Sequence, residues 1–497
     1  MTTTENSVLP GSAPGEKGLR TGALGLLSSI VIGVASTAPG YSLASALGLV
    51  VVAVGLFSPA IMWVSFIPML FIAAGFYYLN KADPDCGTTF TWATKAFGPW
   101  VGWLGGWAAL IAQVVVIANL SQIAGEYSFL LVGSDGLAGS TFWVTVTGVI
   151  WIVVMSWICY VGIEASARSQ YVLLAAEIVA LFTFAAVALF KVYTSDPAGS
   201  IRPSLNWLNP FEISSFSALV AGVLVAIFIY WGWDSTVSVN EETEDSTRTP
   251  GRAAILSTII LLAIYVVVAI AAQAFHGPEF LVENQLDVLA ALGRDVLGSP
   301  FDKILILAVL TSASASTQTT ILPSTRTALS MAVQGAFPKQ LGNVHPKHLT
   351  PGTATIWMAV ISVIWYVGLT LVSENALYDS IASIGMFIAL YYGVTGLACV
   401  YFFRKQLTRS VKTFVLVGVV PLLGAIMMGF ILVKSVIDLS DPANSESGDS
   451  WFGLGPPLVI AIMFIVLGVV LMFWRWFNHR AFFQRHAEIA DPAVLDG

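Results

Sequence analysis

Apolar residues fill this chain in long blocks separated by short polar segments. Blocks of about 20 residues with few charges recur, each long enough as a helix to cross a ~30 Å hydrocarbon core. They predict an all-α integral membrane fold of twelve transmembrane helices, centred near residues 38, 68, 115, 151, 180, 227, 262, 315, 361, 389, 424 and 464. Two blocks are interrupted in their middles. The first, roughly 22–55, breaks at Ser36-Thr37-Ala38-Pro39-Gly40, and the sixth, roughly 214–239, at Gly232-Trp233-Asp234-Ser235. A backbone that leaves the helix inside a bilayer strands N–H and C=O groups, which is tolerated only where the segment is buried in protein or lines a cavity.

The breaks occupy matching places. Spans one to five cover about 22–193 and spans six to ten about 214–403, so each half opens on a discontinuous helix. Five crossings are an odd number, so the second half enters from the opposite side. The pattern predicts a five-plus-five inverted repeat with its binding site between the two breaks. Spans eleven and twelve lie within 411–477 as additions to a core of residues 21–410, with polar tails at 1–20 and 478–497.

Composition places the chain among membrane proteins. Hydrophobic residues make up 57%, charged residues 10%, and the mean hydropathy is +0.82, against about 25% charged in soluble domains. With a cytoplasmic N-terminus and twelve spans, 17 of the 22 Lys and Arg fall on the inner side and 5 on the outer side. That is the bias of the positive-inside rule, and it predicts a multi-pass inner (plasma) membrane protein with both termini cytoplasmic. The net charge of −7 follows this topology and points to no nucleic-acid partner; the bilayer is the expected surrounding, and the oligomeric state is open. The first span is too long for a signal-peptide core and holds Pro39. Cys86, Cys159 and Cys399 map toward the cytoplasmic side, where disulfides are rare. The five histidines form no metal-ligand pair of the HExxH kind, so no metal or cofactor is expected.

The residues around the breaks suggest chemistry. Pro39 removes a helix donor, and the half-helix restarting after it presents free N–H groups and a positive dipole end suited to a carboxylate; a packing kink is the other reading. Asp234 sits in the second break, and an Asp at a helix centre costs about 3 kcal/mol on insertion scales. It is expected to meet a substrate amine or exchange a proton. Phe228, Tyr230, Trp231 and Trp233 beside it suit cation–π contact or bundle packing. Glu177, flanked by apolar residues, is the second intramembrane carboxylate and a candidate proton carrier. The run Thr311-Ser312-Ala313-Ser314-Ala315-Ser316-Thr317 offers hydroxyls for Na⁺ at Thr311 and Ser312, or for close helix packing. Asn119, Gln122 and Glu126 share one helix face, lining a pathway or bonding across the bundle. The acidic run Glu241–Asp245 reads as a solvated cap.

The set resembles the amino acid–polyamine–organocation (APC) superfamily of permeases. Its sixth-span signature is similar to Phe228-Ile229-Tyr230-Trp231-Gly232-Trp233-Asp234-Ser235 followed by Asn240-Glu241-Glu242-Thr243 and Pro250-Gly251-Arg252; Gly87-Thr88-Thr89-Phe90-Thr91-Trp92-Ala93, Phe97-Gly98-Pro99 and Ser324-Thr325-Arg326 with Phe337-Pro338 also match. The resemblance implies alternating access by the inverted repeat. It implies a substrate carboxylate on those backbone amides of the segment Ser36, Thr37, Ala38, Pro39 and Gly40 that carry an N–H, an aromatic gate near Phe228, and a site completed by Tyr230, Trp231, Gly232, Asp234 and Ser235. Many members carry a Gly-x-Gly break where this chain has Ser-Thr-Ala-Pro-Gly, and some proton-coupled members a Lys where it has Glu177.

The resulting expectation is a secondary active importer of an amino acid, coupled to protons through Asp234 and Glu177, with sodium at Thr311 and Ser312 as the other coupling ion. Polyamine or amine import is the alternative, and a nutrient sensor that binds without transport is the rival. Neither the charge rings of a channel nor the nucleophile, base and orienter of an enzyme are present in the sequence.

Overall fold

The computed structural model describes residues 15–485 apart from Leu286, Ser373 and Glu446. The outer parts of the two expected tails, 1–14 and 486–497, lie outside the described residues.

Helices account for all the regular structure in the described part. The first half runs α1 (Leu26–Ser36), α2 (Pro39–Val54), α3 (Ser58–Ala82), α4 (Thr89–Phe97), α5 (Pro99–Leu131), α6 (Asp135–Ala138), α7 (Thr141–Val161) and α8 (Ile163–Thr194). The second half runs α9 (Phe216–Phe228), α10 (Ser235–Ser238), α11 (Thr249–Glu283), α12 (Val288–Leu297), α13 (Lys303–Val333), α14 (Gly352–Val372) and α15 (Glu374–Phe402). The chain then adds α16 (Val411–Thr413), α17 (Val420–Asp438) and α18 (Pro456–Asn478). Among the described residues, ten stretches are long and apolar enough to span a bilayer, where twelve were expected. One is the 57-residue stretch Leu26–Ala82, which joins the first two expected spans. Another expected span, the sixth, is cut short because its apolar helix ends at Phe228. The second departure lies at the expected break, whereas the first lies at Gly55–Phe57, where a single helical turn joins α2 to α3.

Burial separates scaffold from periphery. In α5 and α13, 83% of the apolar window is buried, against 28% in α14 and 33% in α7. The most buried helices are the middle of the bundle, and the others turn apolar faces outward, as a helix in lipid does. Small residues let neighbouring helices close up: Gly33 of α1 lies against Ser257 of α11, and Gly148 of α7 against Tyr366 of α14. The expected outer loop 276–300 is partly helical, because Asp287 caps α12 by accepting from the Ala290 N–H at 3.3 Å.

The segment ahead of α1 is packed. Leu19 and Leu24 are buried, and the Ala23 and Leu24 N–H groups donate to Glu242 O at 2.8 and 3.0 Å while the Glu244 N–H returns to Leu24 O at 2.8 Å. Residues 15–24 are thereby tied to the segment that follows α10.

Candidate functional site

The first break lies at Thr37-Ala38. Thr37 closes α1 with its hydroxyl donating to Val34 O at 2.7 Å, and Ala38 adopts a left-handed conformation (φ 47°, ψ 63°). Pro39 then starts α2, where its missing N–H and fixed φ cost nothing. The groups freed by the break find partners elsewhere. The Ser36 carbonyl accepts from Ser316 Oγ at 2.8 Å. At the restart, the Gly40 N–H donates to Glu177 Oε1 at 2.7 Å and the Tyr41 N–H to Ser312 Oγ at 3.1 Å. A carboxylate at a helix N-terminus is the arrangement the backbone dipole favours, and here it comes from the protein itself, from α8.

The second break runs from Ile229 to Asp234. Gly232 takes φ +122° and lies so close to the first break that a Cβ on it would sit 2.6 Å from Ser36 O. Only glycine meets both demands. The Ile229 carbonyl released there accepts from the Tyr265 hydroxyl. Asp234 is 6% exposed; its Oδ1 accepts from Tyr392 OH at 2.9 Å and its Oδ2 from Tyr391 OH at 3.1 Å. Trp231 Nε1 donates in turn to the Tyr391 hydroxyl, and Trp233 stacks on Tyr392 with centroids 5.3 Å apart.

A cavity lies between the breaks. Of the expected site residues, Ser36, Thr37, Ala38, Phe228, Trp231, Gly232, Asp234 and Ser235 line it. Pro39 and Gly40 are not among its described lining residues, and the Tyr230 hydroxyl donates to Met62 O at 2.9 Å. Asp234 is the sole charged side chain among the described lining residues. Gln113, which also lines it, has a buried Oε1 with no hydrogen-bond partner among the described residues. The polar lining therefore offers an acceptor pair suited to an ammonium group.

Behind the first break, the structure brings Glu177 and Ser312 together, with Thr311 one residue away. Glu177 is fully buried, and its Oε2 has no partner among the described residues. Thr311 Oγ1 is occupied by Leu307 O at 2.8 Å and Ala308 O at 3.1 Å. The polar face of α5 serves the bundle: Asn119 bonds Ser380 at 2.9 Å and Gln122 accepts from Tyr366 OH at 2.6 Å.

The acidic run is a solvated cap only in part: Glu244 and Asp245 are exposed as expected, while Glu241 and Glu242 are not. Glu242 and Arg326 form a two-point ion pair, Nε to Oε2 at 2.8 Å and Nη2 to Oε1 at 2.9 Å, with both side chains wholly buried. Glu241 receives Lys17 Nζ at 2.7 Å, and the same ammonium reaches Asp85 Oδ2 at 2.7 Å. The reason is the packed segment 15–24, which covers the run and supplies Lys17. Asp85, Cys86 and Glu241 together resemble a metal cluster, but the Lys17 ammonium lies within 3.7 Å of all three and meets their charge. Burial alone would raise the Asp85 carboxyl; Lys17 outweighs it and holds the group below the usual carboxylate range.

Gln113, Tyr391 and Tyr392 were not foreseen. Gln113, Val116 and Leu120 share one helix face of α5, a readable signal. The tyrosines sit in an apolar stretch of α15 and give none.

Two discontinuous helices crossing a buried cavity inside a multi-pass helical bundle define a membrane permease. Residues 23–467 match the family described as "Amino acid permease", and the chain belongs to that family and, through it, to the APC superfamily. Relatives are distant. A branched-chain amino acid permease, BcaP, of Bacillus subtilis is 24% identical over 59% of this chain and 64% of its own. Human Asc-type amino acid transporter 1 is 26% identical over 80% and 72%. The low-affinity putrescine importer PlaP of Escherichia coli is 22% identical over 74% and 78%. The chain is a transporter of amino acids or amines, and not an enzyme.

Proposed function

We propose that this permease is a secondary active importer in the plasma membrane, with both termini cytoplasmic, that takes up an amino acid by alternating access and couples uptake to protons. The observation carrying the reading is Asp234, the single charge among the described residues lining the cavity, held by two tyrosines beside Trp231. A substrate ammonium meets the carboxylate and the indole face together, a charge-assisted hydrogen bond and a cation–π contact. Glu177 supports proton coupling as a fully buried carboxyl at the first break whose Oε2 has no partner among the described residues. Sodium at Thr311 and Ser312 has less support, because Thr311 Oγ1 is bonded to its own helix and Ser312 Oγ to Tyr41.

One observation favours the second reading, an amine without a carboxylate. The N-terminus of α2, the expected anion subsite, faces Glu177, and the Thr37 and Ala38 N–H groups are turned to Val34 O and Ala35 O, each at 3.2 Å. The described cavity lining holds no cationic side chain.

Purified protein in liposomes separates these readings. Accumulation of a labelled branched-chain amino acid driven by an inward proton gradient supports the first, and accumulation of labelled putrescine in its place supports the second. Binding with no accumulation under proton or sodium gradients refutes transport and favours a sensor.

A further inference from the structure

A second cavity, remote from the breaks, lies on the flank of the bundle between α5, α14 and α18 and under the segment 336–341. Its volume is about 780 Å³, within the ~300–1,000 Å³ of ligand sites. Trp107, Trp365, Phe464 and Leu467 are among its apolar walls. It opens outward, since Ile361, Ile364, Met463 and Leu467 of the lining are exposed. The space exists because α18 is drawn onto α5 along one edge only. Trp107 Nε1 donates to Phe464 O at 2.8 Å and Trp103 Nε1 to Gly468 O at 3.2 Å, with Gly468 close against the Trp107 ring. On the other side, Gly368 of α14 faces it with nothing within 4 Å of where its Cβ would point.

The lining of α18 runs from Val459 to Arg475, about 24 Å at 1.5 Å per residue. That exceeds the ~15 Å of one leaflet, half of a ~30 Å core. Arg475 is the single charged residue among the described residues lining the groove and sits at one end of it. Its Nε and Nη2 hold the Gly335 and Phe337 carbonyls at 3.0–3.1 Å. Lys339 follows Pro338 of the lining in sequence. A long apolar trough ending in a guanidinium has the chemistry of one molecule class, an anionic phospholipid with an acyl chain in the trough and its phosphate at Arg475.

We infer that this groove is a binding site for an anionic phospholipid, separate from the substrate cavity. The lipid fills the gap that α5, α14 and α18 leave open and bridges α18 to the segment after α13.

The full chain reconstituted in equimolar phosphatidylglycerol and phosphatidylethanolamine, then extracted gently, tests this by native mass spectrometry. The wild type is expected to retain phosphatidylglycerol. Gly368→Phe fills the groove from an open position and should lower retention several-fold while leaving substrate binding intact. Arg475→Gln should abolish the preference for phosphatidylglycerol over phosphatidylethanolamine. Retention unchanged in Gly368→Phe overturns the proposal, marking the lipid as general annulus. A dimer that Gly368→Phe dissociates, with no bound lipid in the wild type, also overturns it and assigns the face to a second copy of this chain.

Discussion

The Gly40 N–H donates to Glu177 Oε1 at 2.7 Å, so a carboxylate from α8 caps the helix that restarts after the first break. The cap and the proposed proton carrier are then one side chain, and two substitutions separate the roles. Glu177→Gln keeps an acceptor oxygen for Gly40 but exchanges no proton. It is expected to fold and bind substrate, yet to show uptake that no longer responds to an imposed pH step. Glu177→Ala leaves the Gly40 N–H unpaired in a buried place, which costs about 1–3 kcal/mol, and should lower the unfolding temperature as well. Proteoliposome uptake and thermal unfolding read the two effects. Full proton-driven accumulation by Glu177→Gln would remove Glu177 from coupling.

Asp234→Asn tests recognition. The substitution keeps the shape and an acceptor oxygen for one of the two tyrosine hydroxyls but removes the charge facing the cavity. A hydrogen bond to a charged group contributes about 1.5–3 kcal/mol, so substrate affinity should fall about 10- to 150-fold, at 1.4 kcal/mol per tenfold. A binding isotherm on purified protein measures it. Unaltered affinity for every amine tested would mean that the ammonium sits elsewhere.

Gly232→Ala tests the contact between the breaks. Gly232 has φ +122°, and an added Cβ would approach Ser36 O to 2.6 Å. Neither the backbone nor the carbonyl can yield without moving a discontinuous helix. Transport should be nearly abolished even though the side chain adds one methyl group and no charge. Gly368→Ala, at a glycine with open space around it, is the matched control and should transport normally. The readout is initial uptake rate at equal reconstituted amounts.

The sequence carried the breaks, because proline, glycine and aspartate are conspicuous inside apolar blocks. Asp234 and Gly232 were readable from cost alone: a charge and a helix breaker at membrane depth need a reason. The partners of those groups were not readable. Ser316 bonds Ser36 across 280 residues and Tyr391 bonds Asp234 across 157, and nothing in local composition marks which of many buried serines or tyrosines does so. The acidic run misled for a related reason. Glu242 looks solvated in sequence, and only the packing of 15–24 and the reach of Arg326 show it buried. The hydroxyl-rich run of α13 was ambiguous between ion ligation and packing; Ser312 and Ser316 satisfy backbone groups freed by the first break, a role that exists only once the break is placed in space.

Lys17 fastens the segment before α1 to both Asp85 and Glu241, each at 2.7 Å, and covers Cys86, whose thiol is fully buried. Removing the ammonium leaves two carboxylates facing each other, so Lys17→Ala should loosen this end of the bundle and expose Cys86. In a background with Cys159→Ala and Cys399→Ala, maleimide labelling of Cys86 is expected to be slow for the parent and many-fold faster for Lys17→Ala. The pH window follows from the shifts. The Asp85 carboxyl is held below its ordinary 3.8, so its contribution is present above that value and is lost as pH falls through the lower folded value. Lys17, although burial opposes its charge, is raised above its ordinary 10.5 by Cys86, Asp85 and Glu241; its contribution is full below 10.5 and lost as pH rises through the folded value. Between pH 5 and 9 the parent's fraction of accessible Cys86 should stay constant once the rate is corrected for thiolate formation in a reference thiol. A clear opening on mild acidification, near pH 5 to 6, would show that neither Lys17 nor Asp85 controls this contact.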